Sequence, residues 1–595
     1  MLFSDFDFLI IPIVALVLLA GGAASIIALA LRSRNDGADP GIGTTRRIFL
    51  YGLAFAALIT AASGLALLTG ALLTLISGDV IADDGASALA FGIAAGGVGL
   101  AVWALLWHAA QRSVERHPAE AGALGRKVYV YLVLGAAAIT VAFSLTLFIG
   151  DLIDGIGADL GDLAVPLVWA GVWAFHWRIE AAEGQRSPAA ATARRIYIYT
   201  LSVYGLILLA AGAAILGGAL LNAGYQTAFN GDNSPDGLPE AWSFFIVGTA
   251  LWGTHWLWLT RGDASGIRQA VLYVLGVFGG TAAATGALST LLVIFIRWPL
   301  DPERGRSALE HFDAVPETFV VLLVTAAVAA YHRQVALSEA AAAPGQGVRA
   351  QRAYRHLSAA IGLGTLWVAL TLLIAVAVGL AVPSAQGSFA GERWWGTPLS
   401  VGITLLIVGA GLWGWHWPRL QSAAHSDADE RASLSRRAYL FTVFGVSVAA
   451  GLISLITLLY GVLEAVLNNE LSTAVLDGGK WALGVAVTAA VVSVYHWLVL
   501  REDAAAAPPA PEQPSVPQAP PKRVTALVSA DDAALIEALE RALGTSIERR
   551  IRADAAGVPS LSHDEASAIA ERIRNAPGEE VVLVVDGDGI RIVPL

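Results

Sequence analysis

Trp107-His108, Phe175-His176-Trp177, Thr254-His255-Trp256, Tyr331-His332, Trp415-His416-Trp417 and Tyr495-His496-Trp497 are copies of one aromatic–histidine run. Each closes an apolar segment long enough to cross a membrane. Successive histidines are 68, 79, 77, 84 and 80 residues apart, so one unit is used six times. About sixty residues before each histidine the unit opens with basic residues followed by aromatics. The first three openings are Arg46-Arg47-Ile48-Phe49-Leu50-Tyr51, Arg126-Lys127-Val128-Tyr129-Val130-Tyr131 and Arg194-Arg195-Ile196-Tyr197-Ile198-Tyr199. The later ones drift to Arg268-Gln269-Ala270-Val271-Leu272-Tyr273, Gln351-Arg352-Ala353-Tyr354-Arg355-His356 and Arg436-Arg437-Ala438-Tyr439-Leu440-Phe441.

The bulk composition agrees with that pattern. The 595 residues are 56% hydrophobic and only 14% charged, with a mean hydropathy of +0.64, outside the range of soluble chains. The apolar blocks run to 20 residues or more, which makes the chain an all-α polytopic membrane protein. A β-barrel would show ten-residue alternating segments instead. The chain has no cysteine, which excludes disulfides and thiolate metal sites.

Thirteen spans are expected, as one leading helix at 8–32 and six tandem hairpins within 41–502. The pairs fall near 46–76 and 84–112, 126–155 and 161–182, 194–224 and 239–260, 267–298 and 313–336, 350–382 and 397–420, and 436–468 and 474–501. The stretch 1–40 is read as an anchor, not a cleaved leader, because Asp5 and Asp7 precede it where a signal peptide carries basic charge. The loops entering the hairpins hold 22 basic residues and the hairpin turns five. That asymmetry predicts an amino terminus outside and a carboxyl end in the cytoplasm.

Beyond Arg501 the character changes. Residues 503–523 form an Ala/Pro-rich linker, and 524–595 regain the patterning of a small cytoplasmic α+β domain. Val524–Val528 reads as a strand, with Ser529 capping a helix to about 543. Ser562 and Glu565 form a capping-box pattern for a second helix near 563–576. The runs 581–585 and 590–593 bracket Asp586-Gly587-Asp588-Gly589 as a hairpin, and this turn lacks the frame of a calcium loop. Such a small domain is expected to dock on a partner or on a second copy of itself.

The six basic–aromatic openings and six histidine endings resemble an uncharacterised bacterial family of multi-pass proteins carrying tandem copies of a membrane domain of unknown function. The resemblance covers about residues 40–500. It implies architecture and brings no activity or ligand; the chain is expected in the bacterial inner membrane.

Three functional readings compete for the histidines. In the first, His108, His176, His255, His332, His416 and His496 belong to an interfacial aromatic belt; 11 of the 18 tryptophans lie within six residues of one of them. Each imidazole then bonds an aromatic of its own hairpin: His108 with Tyr51, His176 with Tyr131, His255 with Tyr199 and His332 with Tyr273. His416 would take Tyr354 or His356, and His496 would take Tyr439. The protein is then a membrane scaffold, assembly or sensory component. In the second reading the imidazoles hold a haem or chlorin, or the site takes a quinone. In the third the chain carries a neutral or lipidic solute; no Lys or Arg falls at mid-membrane depth, which argues against an ion-coupled machine. Enzyme signatures such as a phosphate loop, His-Glu-x-x-His or Gly-x-Ser-x-Gly do not occur. No nucleic-acid partner is expected.

Overall fold

In the computed structural model the described residues are 44–77, 85–155, 159–183, 187–229, 237–300, 307–343, 345, 347–382, 394–506, 522–529, 532–552, 563–578, 580–586 and 589–595. The chain divides into two compact units, 1–501 and 502–595. The expected leading helix at 8–32 and most of the linker lie outside the described residues.

Among its described residues the first unit is built from helices and the turns that join them. Its hairpins are α1 (Thr44–Ser77) with α2 (Gly85–Arg116), α3 (Leu124–Asp154) with α4 (Ala164–Glu183), and α5 (Pro188–Ala228) with α6 (Leu238–Trp252). They continue as α7 (Gly266–Leu300) with α8 (Val315–Ala342), α9 (Val348–Ala381) with α10 (Gly396–Ser426), and α11 (Leu434–Leu467) with α12 (Ala474–Ala505). The expected apolar blocks fall on these helices, with ends displaced by up to eight residues. Among the described residues, ten helices are long and apolar enough to cross a membrane, fewer than the thirteen expected. The helices α4 and α6 are not among them. In α4 the residues His176, Arg178, Glu180 and Glu183 crowd into 20 positions. The α-helical part of α6 is 15 residues long and passes into a π-helical turn, Gly253–Trp258. A second π-helical stretch, Val271–Gly279, interrupts α7.

Glycine sets the closest helix pairs. A methyl on Gly64 of α1 would collide with the backbone nitrogen of Gly96 on α2, so these backbones touch. Gly205 and Gly212 of α5 meet the backbone of Trp252 and Phe245 in the same way, and Gly362 of α9 meets Trp413. Without a hydrophobic drive between helices in lipid, such backbone approach supplies the packing energy. Small-residue runs noted in the sequence divide accordingly: Gly96 and Gly409 are in contact, whereas Gly97 and Gly411 face open space.

The second unit holds a four-stranded sheet in the order β2-β1-β3-β4, from β1 (Arg523–Val528), β2 (Glu548–Ile551), β3 (Glu580–Asp586) and β4 (Gly589–Pro594). Strand β1 is parallel to both β2 and β3, and β3 is antiparallel to β4. Helices α13 (Ala533–Leu543) and α14 (His563–Asn575) complete the core, in which Val524, Ala526, Val528, Leu535, Leu539, Val581, Leu583 and Val585 are buried. Two details correct the sequence reading. The cap of α13 is Asp532, whose carboxylate accepts the backbone N–H of Ser529 at 2.9 Å. Strand β2 was not foreseen, because Glu548-Arg549-Arg550-Ile551 is exposed along its length and carries no buried apolar alternation. Ser562 of the expected capping box lies outside the described residues.

Candidate functional site

Two residues along a helix turn the side chain by about 200°, so the two aromatic positions of each opening face different neighbours. The first position holds Phe49, Tyr129, Tyr197, Val271, Tyr354 and Tyr439, and it is this one that meets the hairpin's own histidine. The Tyr129 hydroxyl lies 3.3 Å from His176 Nε2, that of Tyr197 3.3 Å from His255 Nε2, and that of Tyr439 3.5 Å from His496 Nε2. The expected pairs His176–Tyr131 and His255–Tyr199 are replaced by partners two residues earlier, while His496 meets Tyr439 as foreseen. Tyr354 packs edge-on to His416 with ring centres 5.7 Å apart. His108 is exposed, and Phe49 at the first position of its hairpin has no hydroxyl to offer.

Each bond has a direction. The Nδ1 of His176, His255 and His496 lies 2.8–2.9 Å from the carbonyl oxygen four residues earlier, and a carbonyl only accepts. The ring proton is therefore on Nδ1, and the Nε2 lone pair accepts from tyrosine. The tyrosine oxygen in turn accepts an indole N–H from the preceding hairpin: Trp103 to Tyr129 at 3.0 Å, Trp173 to Tyr197 at 3.2 Å and Trp413 to Tyr439 at 3.4 Å. With its lone pair used in this way, an imidazole has none left for a metal, so these three sites do not suit a haem or chlorin.

The second position builds contacts between repeats. Tyr51 packs on Tyr129 at 5.4 Å, Tyr131 on Tyr197 at 6.0 Å, Tyr273 on Tyr354 at 6.3 Å and His356 on Tyr439 at 5.8 Å. The hydroxyls turn to charged groups: Tyr131 donates to Glu180 at 2.8 Å, Tyr199 donates to Asp263 at 2.7 Å, and Tyr51 accepts from Arg126 at 3.4 Å. Asp263 sits in the loop between α6 and α7. Burial there raises its carboxyl, but Tyr199, Ser265 and Arg195 together hold it below the usual carboxylate range.

An acidic clasp accompanies each of the first five openings. Glu120 binds Arg47 at 2.6 Å, and Glu183 binds Arg126 at 2.6 Å and Lys127 at 2.5 Å. Asp263 binds Arg195 at 3.1 Å, Glu339 binds Arg268 at 2.7 Å and Glu430 binds Arg352 at 2.5 Å. The sequence reading counted the basic residues as surface charge and missed these acids. The available signal was an acid 7 to 14 residues after each of the first five histidines.

A larger period is also present. Arg126, Arg268 and Arg436 lie over the indoles of Trp107, Trp256 and Trp417 at 4.9, 4.8 and 5.8 Å. Their guanidinium groups reach Gln111, Thr260 and Gln421, each four residues beyond the tryptophan, at 3.0, 2.8 and 2.6 Å. This joint fastens hairpin 2 to 1, 4 to 3 and 6 to 5, which makes three two-hairpin units. A family model described as a domain of unknown function (DUF5671) matches residues 47–170, 195–331 and 352–495, following those three units. The chain belongs to this family. No curated protein and no solved structure matches it.

The second of the three DUF5671 copies departs from the others in its second hairpin. The opening of the second hairpin carries Tyr129 in copy 1 and Tyr439 in copy 3, but Val271 in copy 2. His332 Nδ1 still donates to the Val328 carbonyl at 2.8 Å, and the ring is only 2% exposed to the outside. Its Nε2 has no hydrogen-bond partner among the described residues, and Tyr273 does not reach it. Where the tyrosine ring would lie there is a cavity of about 610 Å³, bounded by α5, α6, α7 and α8 and lined by Ser202, Trp252, Val271, Gly276, Thr325 and His332 among others. Both π-helical stretches border it. His356, at the second position of the next opening, also has a buried Nε2 without a partner. Among the described residues no group of three or more His, Asp or Glu side chains could hold a metal ion.

Proposed function

We propose that this protein is a membrane scaffold, with thirteen spans set in the bacterial inner membrane, its amino terminus outside and its second unit in the cytoplasm. The observation that carries this reading is the use of recurring polar groups inside the protein. Three histidines are bonded within their hairpins, and the opening charges of the first five repeats are clasped by acids of the same repeat. Such bonds lock helices together and leave few groups free for transport chemistry or an extended pigment array. The sheet unit then serves as the docking element toward a protein partner or a second copy.

The absence of cysteine makes the orientation directly testable. Cysteines introduced by Ser113→Cys and Ser187→Cys should be shielded from an impermeant thiol reagent in intact cells, and one introduced by Ser234→Cys should react. The opposite labelling would place the sheet unit outside and end the proposal of a cytoplasmic docking element. A Soret or Q band in the purified protein would replace the scaffold with a pigment or haem protein.

A further inference from the structure

In copies 1 and 3 a tyrosine hydroxyl stands between an indole N–H and an imidazole Nε2: Trp103, Tyr129 and His176, and Trp413, Tyr439 and His496. In copy 2 the donor and acceptor remain and the hydroxyl is missing. The Trp252 indole lines the cavity, and no hydrogen bond from its N–H is found among the described residues. His332 lines the same cavity, and its Nε2 makes no hydrogen bond among the described residues. Its ring cannot turn away easily. A methyl added at Gly276 would come within 2.5 Å of it, and Trp256 packs on it with ring centres 5.3 Å apart. Neither group has a hydrogen-bond partner among the described residues, so a hydroxyl brought into the gap would supply the bond that each lacks.

We propose that the copy 2 cavity binds a phenolic lipid, whose hydroxyl takes the place of the missing tyrosine by accepting from Trp252 and donating to His332. The other polar atoms on the wall favour a ligand that donates. Ser202 and Thr325 spend their protons on backbone carbonyls of their own helices at 2.8 and 2.6 Å, so they present only lone pairs. A quinone carbonyl could accept from Trp252 but offers nothing to His332, so the reduced, hydroxyl-bearing form is the one the site takes. Apart from the exposed Glu317 at its far end, the remaining wall is apolar, formed by residues such as Leu206, Ala210, Ala283 and Val324. It extends along α8 from His332 to Glu317, 15 residues or about 22 Å, which suits an aromatic head on an extended tail. The volume lies within the range of cavities that enclose a small organic ligand. This inference is independent of the scaffold reading.

The test uses the full-length protein in detergent, with native mass spectrometry to follow two probes, 4-dodecylphenol and its methyl ether. The ether keeps the shape and the accepting oxygen and loses the proton. The phenol should bind about five- to tenfold more tightly, the worth of one hydrogen bond to a buried acceptor. Val271→Tyr restores the side chain of the sibling copies, occupies the gap and should abolish that preference. Equal binding of the two probes to the unaltered protein, or no binding of either, overturns the proposal without reference to any variant. A folded Val271→Tyr protein that still prefers the phenol overturns it as well.

Discussion

Replacing Glu183 by glutamine tests whether the clasps hold the hairpins together. The side chain of Lys127 is 0% exposed and that of Glu183 is 10% exposed, with 2.5 Å between their charged atoms. Arg126 shares the same carboxylate but keeps other company after the change: Gln111 at 3.0 Å, Tyr51 at 3.4 Å and the Trp107 ring at 4.9 Å. Lys127 has no second partner among the described residues, so its ammonium would be left buried and unpaired. Breaking such a pair from one side costs about 3–5 kcal/mol, and most of that loss should come from Lys127. The assay is unfolding of the purified protein in mixed micelles as the fraction of denaturing detergent rises. Glu464→Gln, at an exposed position of α11, is the control and should shift stability by under about 0.5 kcal/mol. Adding Lys127→Met to Glu183→Gln removes the stranded charge and should recover more than half of the loss. A Glu183→Gln protein within about 1 kcal/mol of the parent would refute the reasoning, as would a double variant no better than the single one.

Further outcomes follow from the same geometry. Tyr129→Phe strands both the Trp103 N–H and the His176 Nε2, and should destabilise by about 1–2 kcal/mol in the same assay, reproducing the effect of His176→Phe. Pairing of His176 through Tyr131 instead would make Tyr131→Phe, and not Tyr129→Phe, track His176→Phe. For Asp263, whose folded carboxyl is held below its unfolded value, the stabilisation is present above the unfolded value and lost as pH falls through the folded one. The stability gap between the parent and Asp263→Asn should therefore be level from pH 7 to about 5 and close only below about 3.9, whereas a gap closing near pH 6 would contradict the depressed carboxyl.

The sequence by itself determined the class, the hairpins and most of the small sheet. Long apolar blocks, Gly-rich turns and alternating Val-rich runs are local signals, because helix or strand formation is decided within a few residues by burial and backbone bonding. The Tyr439–His496 pair was legible for the same reason, since Phe441 offers no hydroxyl and only one candidate remained. Contact partners were not legible. Choosing Tyr129 over Tyr131 depends on which helix face turns inward, and a two-residue step reverses that face. The acids Glu120, Glu183, Asp263, Glu339 and Glu430 read as ordinary loop charges until packing brings each beside its basic opening. Val271 reads as one more apolar residue in an apolar span. Only the tertiary structure makes it the missing hydroxyl between Trp252 and His332, because a vacancy is defined by the side chains around it, and those come from helices far apart in the chain.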